Sequence, residues 1–362
     1  MARVLQMALT GQVRHYVGVT MSVAMSVLLG FGLSSIFILA VRSNPLTAYY
    51  TLLEGALGSP QNISETLIKA IPMILTGLAA AVAFKSNVNN IGEEGQFYMG
   101  AIATAIVALS IPVLPSIVFL PLLLCASFLA GALWAGIPAF LKIRFGADEM
   151  LTTLLMNWIP FYIVSYLVSG PFQEKDKIRP QTDFLPDLAR LPAFVAGYRV
   201  HWGLVLAIVS CIVVYFFLWK TSLGFEFRAT GANMPAARSM GIRVNRRMMQ
   251  AMILSGGIAA FAGFCEVAGT VGSLKLGSSN LLGYGYAGIL VALVTNLHPL
   301  GVILSGLFFG ILIVGSESMQ RGADVPIAMV YIIEAIMVMT IITSQILMRK
   351  LGFKWLTGDN SQ

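Results

Sequence analysis

Long apolar runs constrain this chain more than any other feature. Crossing a hydrocarbon core ~30 Å thick takes about 20 mostly apolar residues in a helix. Ten stretches are read as spans on that basis: 20–41, 67–84, 92–111, 117–141, 151–169, 203–219, 249–272, 284–297, 299–318 and 326–348. The first is too long for the apolar segment of a secretory signal, and no small-residue cleavage site follows Val41, so it is taken as a membrane helix. Two spans fit less well: 67–84 opens with Lys69 and Pro72, and 284–297 is short and glycine-rich. Composition agrees with a lipid solvent. Only 11% of the residues are charged, against about 25% in a soluble domain. That excludes a soluble enzyme, a disordered chain and a disulfide-stapled secreted domain. The expected fold is all-α: a polytopic transmembrane helical bundle of about ten spans, one domain over 1–362.

The net charge of +7 needs no nucleic acid to explain it. With ten crossings and both termini cytoplasmic, 14 of the 23 Lys and Arg fall on the inner side, a bias in the direction of the positive-inside rule. Residues 170–202, with Pro171, Pro180, Pro186 and Pro192, read as an external loop. Residues 220–248 carry six basic side chains against one acid, Glu226, and read as a cytoplasmic docking surface.

Inside that loop a short helix is marked at both ends. Asn233 suits the N-cap, Pro235 the first turn, and Gly241 the left-handed position after the last turn, with Ile242 following. Such a helix either sits in a groove of another protein or is a plain amphipathic connector. A second polar group interrupts the apolar pattern: Asn87, Asn89, Asn90, Glu93, Glu94 and Gln96 lie within ten residues. At membrane depth these groups must face protein or a water-filled cavity. They read as a polar pathway or gate, or as a cytoplasmic turn leading into a helix with acids in its first turn. Glu266, near the middle of 249–272, should face the bundle interior with a partner, since an ionised side chain there costs about 2.5–3.5 kcal/mol on insertion scales. Lys275 is a candidate neighbour, and Lys69 is expected to snorkel to the outer face. Glu334 follows the same logic as Glu266. His15, His201 and His298 are scattered, so no metal site is expected, and no phosphate-binding G-x-x-x-x-G-K-[ST] loop is present.

Four segments carry a family resemblance. Arg228 to Ile242 resembles the R-A-x-G-x-N-x-x-A-A-R-x-x-G-I coupling loop of permease subunits of ATP-binding-cassette (ABC) importers for branched-chain amino acids, simple sugars and nucleosides. Residues 87–100 are similar to that family's N-I-G-x-E-G-Q-x-x-x-G segment, and 283–293 to its G-x-G-F-x-G-I-x-V-A-L. Residues 146–157 are similar to G-x-N-E-x-x-x-T-x-x-x-N of the nucleoside branch. Asp148, Tyr286 and Ala287 stand where the family has Asn, Phe and often Asp.

The resemblance implies a single permease domain in the bacterial cytoplasmic (inner) membrane, itself not an enzyme. It implies a second permease chain, similar or identical, a cytoplasmic ABC ATPase and an extracytoplasmic substrate-binding protein, besides the membrane lipid. This chain would bind no cofactor; ATP and Mg would sit on the partner ATPase. Nucleoside is the expected cargo, with Asn87, Asn89, Asn90, Glu93, Glu94, Gln96 and Glu266 along the pathway. Gly231, Asn233, Pro235, Ala236, Ala237, Arg238 and Gly241 would meet the ATPase, whose closure would tilt the permease to switch access. The alternatives are a ribose-type sugar permease and an ion-coupled secondary transporter working through Glu266 and Glu334. A membrane-embedded enzyme lacks the His clusters or paired Asp motifs its chemistry needs.

Overall fold

Among the described residues the apolar runs fold as helices, but fewer of them are long enough to cross a membrane than the ten expected. A computed structural model describes residues 26–112, 114–195, 197–275, 283–323 and part of 325–343. Among these, six helical segments are long and apolar enough to cross a membrane, or seven if one bent pair is a single span. That pair is α1 (Ser26–Ala40) and α2 (Pro45–Leu57), which meet at 115°. The last expected span, 326–348, lies largely outside the described residues, and Glu334 entirely so.

Two compact units form, the larger being Pro60–Ile311. It contains α3 (Pro60–Lys85), α4 (Glu93–Ser110), α5 (Ser116–Phe145), α6 (Glu149–Met156), α7 (Trp158–Ser169), α8 (Gly203–Lys220), α9 (Ser222–Ala232), α10 (Met234–Ser239), α11 (Val244–Cys265), α12 (Tyr284–Val294) and the start of α13 (Pro299–Gly322). A π-turn, Glu266–Val271, continues α11. The second unit comprises 26–59 and the described residues from 312 on. There α2 lies against the end of α13, so that a Cβ on Gly55 would fall 2.0 Å from that of Ser318.

In the larger unit α3 and α11 are central. The most apolar windows of these spans are 89% and 83% buried, against 28% for α5, α6–α7 and α8. The outer helices instead present large apolar side chains outward, such as Ile117, Leu133 and Tyr166. Water would penalise such a surface and hydrocarbon does not, so glycine contacts and polar bonds must select the interior. A Cβ on Gly100 would lie 2.3 Å from the Ala260 carbonyl oxygen, and one on Gly263 2.1 Å from that of Phe97. Gly131 and Gly256 bring α5 and α11 equally close.

Three expectations need correcting. Span 67–84 is part of a 26-residue helix running to Lys85, and Lys69 is buried rather than snorkelling. Its ammonium lies 6.0 Å from the Tyr284 ring centre and acts on the Glu266 carboxylate. Span 284–297 is only the 11-residue α12, which at 1.5 Å per residue is ~16 Å long, about half a crossing. Span 92–111 is the 18-residue α4, whose first turn carries buried Glu93, Glu94 and Gln96 and is too polar to face lipid.

The 170–202 segment closes one end of this unit. The backbone N–H groups of Thr182, Leu185 and Leu191 donate to the carbonyls of Leu274, Gly272 and Ala268, and Arg199 pairs with Glu65 at 2.9 Å. Buried His201 lies 3.3 Å from the Thr270 hydroxyl; burial, reinforced by Arg199, lowers its pKa to about 4. Lys275 pairs in an isolated bridge with Gln181, not with Glu266. The opposite, basic end carries Lys85, Arg144, Lys220 and the α9–α10 segment.

Candidate functional site

The polar residues that interrupt the apolar pattern separate into two roles. Asn87 ends α3 in the left-handed region (φ 56°). There its N–H meets the Phe84 carbonyl and that of Val88 the Ala83 carbonyl, the paired bonds of a helix C-terminus. Asn87 and Asn89 are exposed, whereas Asn90, Glu93, Glu94 and Gln96 are buried. Asn90 and Gln96 exchange two amide hydrogen bonds of 3.0 Å each. Asn90 also donates to the Ser255 hydroxyl, which donates to the Ala79 carbonyl, so one amide ties α4 to α11 and α3. Glu93 is fully buried, and neither carboxyl oxygen has a partner among the described residues.

Glu94 does something the sequence did not announce. Its two carboxylate oxygens accept the backbone N–H groups of Gly283 and Gly285, each at 2.7 Å, and it is also bonded by the Tyr286 N–H. These are free donors at the N-terminus of α12, where the helix dipole favours an anion. The close approach requires glycine: a Cβ on Gly285 would lie 2.2 Å from the Glu94 nitrogen. Further along, Gly77 and Gly288 let α12 rest on α3, and the Thr76 hydroxyl bonds the Tyr284 carbonyl at 2.9 Å. α12 therefore starts beside the middle of α3 and runs to the basic end, where the His298 ring lies against that of Trp219, centres 5.2 Å apart and planes tilted by 51°. An exposed helix start would be untenable in hydrocarbon; a carboxylate from α4 satisfies this one.

Beside that helix start opens a cavity of about 240 Å³ lined by Glu94, Tyr98, Asn157, Trp158, Phe161, Gly283 and Tyr286. Glu94/Tyr98 on α4 and Asn157/Phe161 across from them are both i,i+4 pairs, placing a polar layer and an aromatic layer one helical turn apart. Asn157 accepts from the Gly95 N–H at 2.8 Å and donates to the Ile91 carbonyl and the Tyr286 hydroxyl. Tyr98, Trp158 and Phe161 escaped the sequence reading, for each sits in an ordinary apolar run; their spacing from Glu94 and Asn157 was the available signal.

Glu266 begins the π-turn and is 2% exposed. It joins a separate group with Lys69 and Thr270, and one of its oxygens has no hydrogen-bond partner among the described residues.

At the basic end, α10 is capped as its sequence suggested. Asn233 accepts the Ala236 N–H at 3.0 Å, and Gly241 takes φ 81°. The N–H groups of Gly241 and Ile242 close on the Arg238 and Ala237 carbonyls. The two alanines differ, however. Ala237 is fully buried against Val88, Ala135, Ala139, Val244, Met248 and Met252, while Asn233, Pro235, Ala236 and Arg238 are exposed. Gly231 seats α9 on the end of α3; its Cβ would lie 2.0 Å from the Lys85 carbonyl oxygen. Arg228 and Lys85 both approach the Trp219 ring, at 5.5 and 5.8 Å. Arg247 pairs with Glu226 at 2.6 Å. Asp148, where the family pattern has Asn, accepts the Leu151 N–H at 2.9 Å as the cap of α6, a task either residue performs.

Residues 62–342 match the family described as branched-chain amino acid transport system / permease component. The chain belongs to this family. It is the permease subunit of an ABC importer and a multi-pass membrane protein. Similar curated permeases include the glucose ABC transporter permease protein TsgB13 of Haloferax volcanii, 35% identical and covering 90% of this chain and 87% of the relative. The nucleoside ABC transporter permease protein NupB of Lactococcus lactis is 31% identical over 83% of this chain and 85% of its own. The guanosine ABC transporter permease protein NupP of Bacillus subtilis is also 31% identical, over 88% and 92%. This permease thus resembles relatives named for two kinds of cargo.

Proposed function

We propose that this permease carries nucleosides inward across the bacterial cytoplasmic membrane. The end bearing α9–α10 and both chain termini would be cytoplasmic. The observation that carries the cargo is the cavity at the start of α12, lined by the aromatic rings of Tyr98, Trp158, Phe161 and Tyr286 beside Glu94 and Asn157. A nucleoside offers that lining a flat aromatic base, which a simple sugar lacks. The two relatives named for nucleoside or guanosine transport support the same reading. The concentration of Lys and Arg at one end supports this orientation.

In this account Asn90, Glu93, Glu94 and Gln96 line or brace the pathway, and Glu266 holds its other end with Lys69. Asn87 and Asn89 lie at the pathway's mouth on the basic end. Two permease chains, similar or identical, form the path, and a substrate-binding protein delivers the solute outside. A cytoplasmic ABC ATPase, which holds the ATP and Mg while this chain binds no cofactor, docks on exposed Asn233, Pro235, Ala236 and Arg238. Gly231, Ala237 and Gly241 shape the helix that makes this contact. A sugar is the second reading, favoured by the 35% identity to a glucose permease. The test is uptake by cells carrying the complete transporter. Labelled guanosine should accumulate, with unlabelled nucleosides competing and glucose not; glucose accumulation without guanosine uptake would overturn the proposal.

A further inference from the structure

We propose that the cavity between α4, α7 and the start of α12 holds the base of the transported nucleoside, stacked on Trp158 and Tyr286. This rests on the nucleoside reading above and assigns the group that discriminates it from a bare sugar. The cavity's polar groups are largely engaged already. Both Glu94 oxygens are held by α12 N–H groups, and Asn157 is bonded to Gly95, Ile91 and Tyr286. A carboxylate so engaged is a poor counter-ion for a cationic solute, which favours an uncharged one.

Two phenols remain to interact with an occupant. The Tyr286 oxygen accepts from Asn157, leaving its own hydrogen to donate, and the Tyr98 hydroxyl has no hydrogen-bond partner among the described residues. Together they can bond the acceptor-bearing edge of a heteroaromatic ring. Trp158 and Tyr286 stand 55% and 38% exposed at the rim, open to a flat face, while Phe161 backs Trp158 with ring centres 6.1 Å apart. At ~30 Å³ per water, 240 Å³ is room for on the order of eight heavy atoms, close to the roughly eight to eleven of a nucleobase and too few for a whole nucleoside. A lipid tail of similar volume would leave both phenols facing hydrocarbon unsatisfied.

The experiment uses the complete transporter with Cys125→Ser, which removes the exposed native thiol and leaves buried Cys211 and Cys265. Phe161→Cys then places a reactive thiol on the cavity wall. Its alkylation by N-ethylmaleimide is timed with guanosine, glucose or neither present. Guanosine uptake is measured in parallel for the otherwise unaltered transporter and for Trp158→Phe and Trp158→Ala, at matched membrane abundance. Guanosine at about four times its dissociation constant or more should slow alkylation about fivefold or more, since protection follows site occupancy, and glucose should not. Trp158→Ala should cut uptake by a similar factor and Trp158→Phe should largely preserve it. Equal alkylation with and without guanosine, in a transporter that still imports guanosine, overturns this site and leaves the cargo standing. Absence of guanosine uptake by the unaltered transporter overturns the cargo reading, and the base site with it.

Discussion

Replacing Glu94 with glutamine keeps the shape of the side chain but takes the charge from the start of α12. The carboxylate accepts the N–H groups of Gly283 and Gly285 on separate oxygens. A glutamine can accept only one of them and turns an NH₂ group toward the other. One charge-assisted bond becomes a neutral one, a loss of roughly 1 kcal/mol, and the second buried N–H goes unsatisfied at about 1–3 kcal/mol. Losing the anion's favourable interaction with the helix dipole overlaps with both terms, so the whole effect is about 2–4 kcal/mol. At 1.4 kcal/mol per factor of ten, the opening equilibrium of the first turn of α12 should shift by roughly 30- to 700-fold. Hydrogen exchange of the amides at 283–286, followed by mass spectrometry on the purified transporter, reads this locally. Exchange at the Ala237 and Ile242 amides at the basic end should be unchanged and serves as the control. Exchange at 283–286 within threefold of the unaltered protein would refute the idea that Glu94 anchors the half-helix.

Other perturbations separate packing from function. Gly263→Ala drives a methyl into the Phe97 carbonyl and should destabilise by about 1–3 kcal/mol. Gly136→Ala, whose nearest neighbouring atom is 4.0 Å away, should stabilise by up to ~1 kcal/mol; melting of the detergent-purified protein distinguishes them. Ala236→Glu should leave folded protein and abolish ATP-driven uptake, whereas Ala237→Glu buries a carboxylate in an apolar cluster and should reduce the folded protein itself. Normal uptake by Ala236→Glu would contradict the docking role. For His201, the folded pKa of about 4 lies below the unfolded value near 6.5. The unfolded chain therefore binds the proton first as pH falls. Stability should be greatest above pH ~6.5 and decline by roughly 3 kcal/mol down to pH ~4, a dependence His201→Gln removes in melting curves.

Local chemistry was readable in the sequence, and depth was not. Asn233, Pro235 and Gly241 mark the ends of α10 because caps depend on residues within one turn of each other. Hydropathy, by contrast, measures how apolar a run is and not where it starts in the membrane. Residues 284–294 are apolar enough for part of a crossing, and only the bonds from Glu94, some 190 positions earlier, and from Thr76 show that the helix begins beside the middle of α3. Lys69 looked able to snorkel because its counter-charge, Glu266, lies on another helix. Asn87 and Asn89 share the composition of the buried amides but fall on the exposed turn that ends α3. The aromatic cavity was hidden for the same reason: it is built from three helices, each contributing one or two unremarkable side chains.

The mechanism rests on energy delivered through α9–α10, and reconstituting the complete transporter in proteoliposomes tests it directly. With guanosine-loaded binding protein on the opposite face, accumulation should begin only when Mg-ATP is present on the side bearing α10. It should persist when a protonophore or a sodium ionophore dissipates the gradients. Uptake that proceeds without ATP and collapses with either ionophore would contradict the account and point instead to ion coupling.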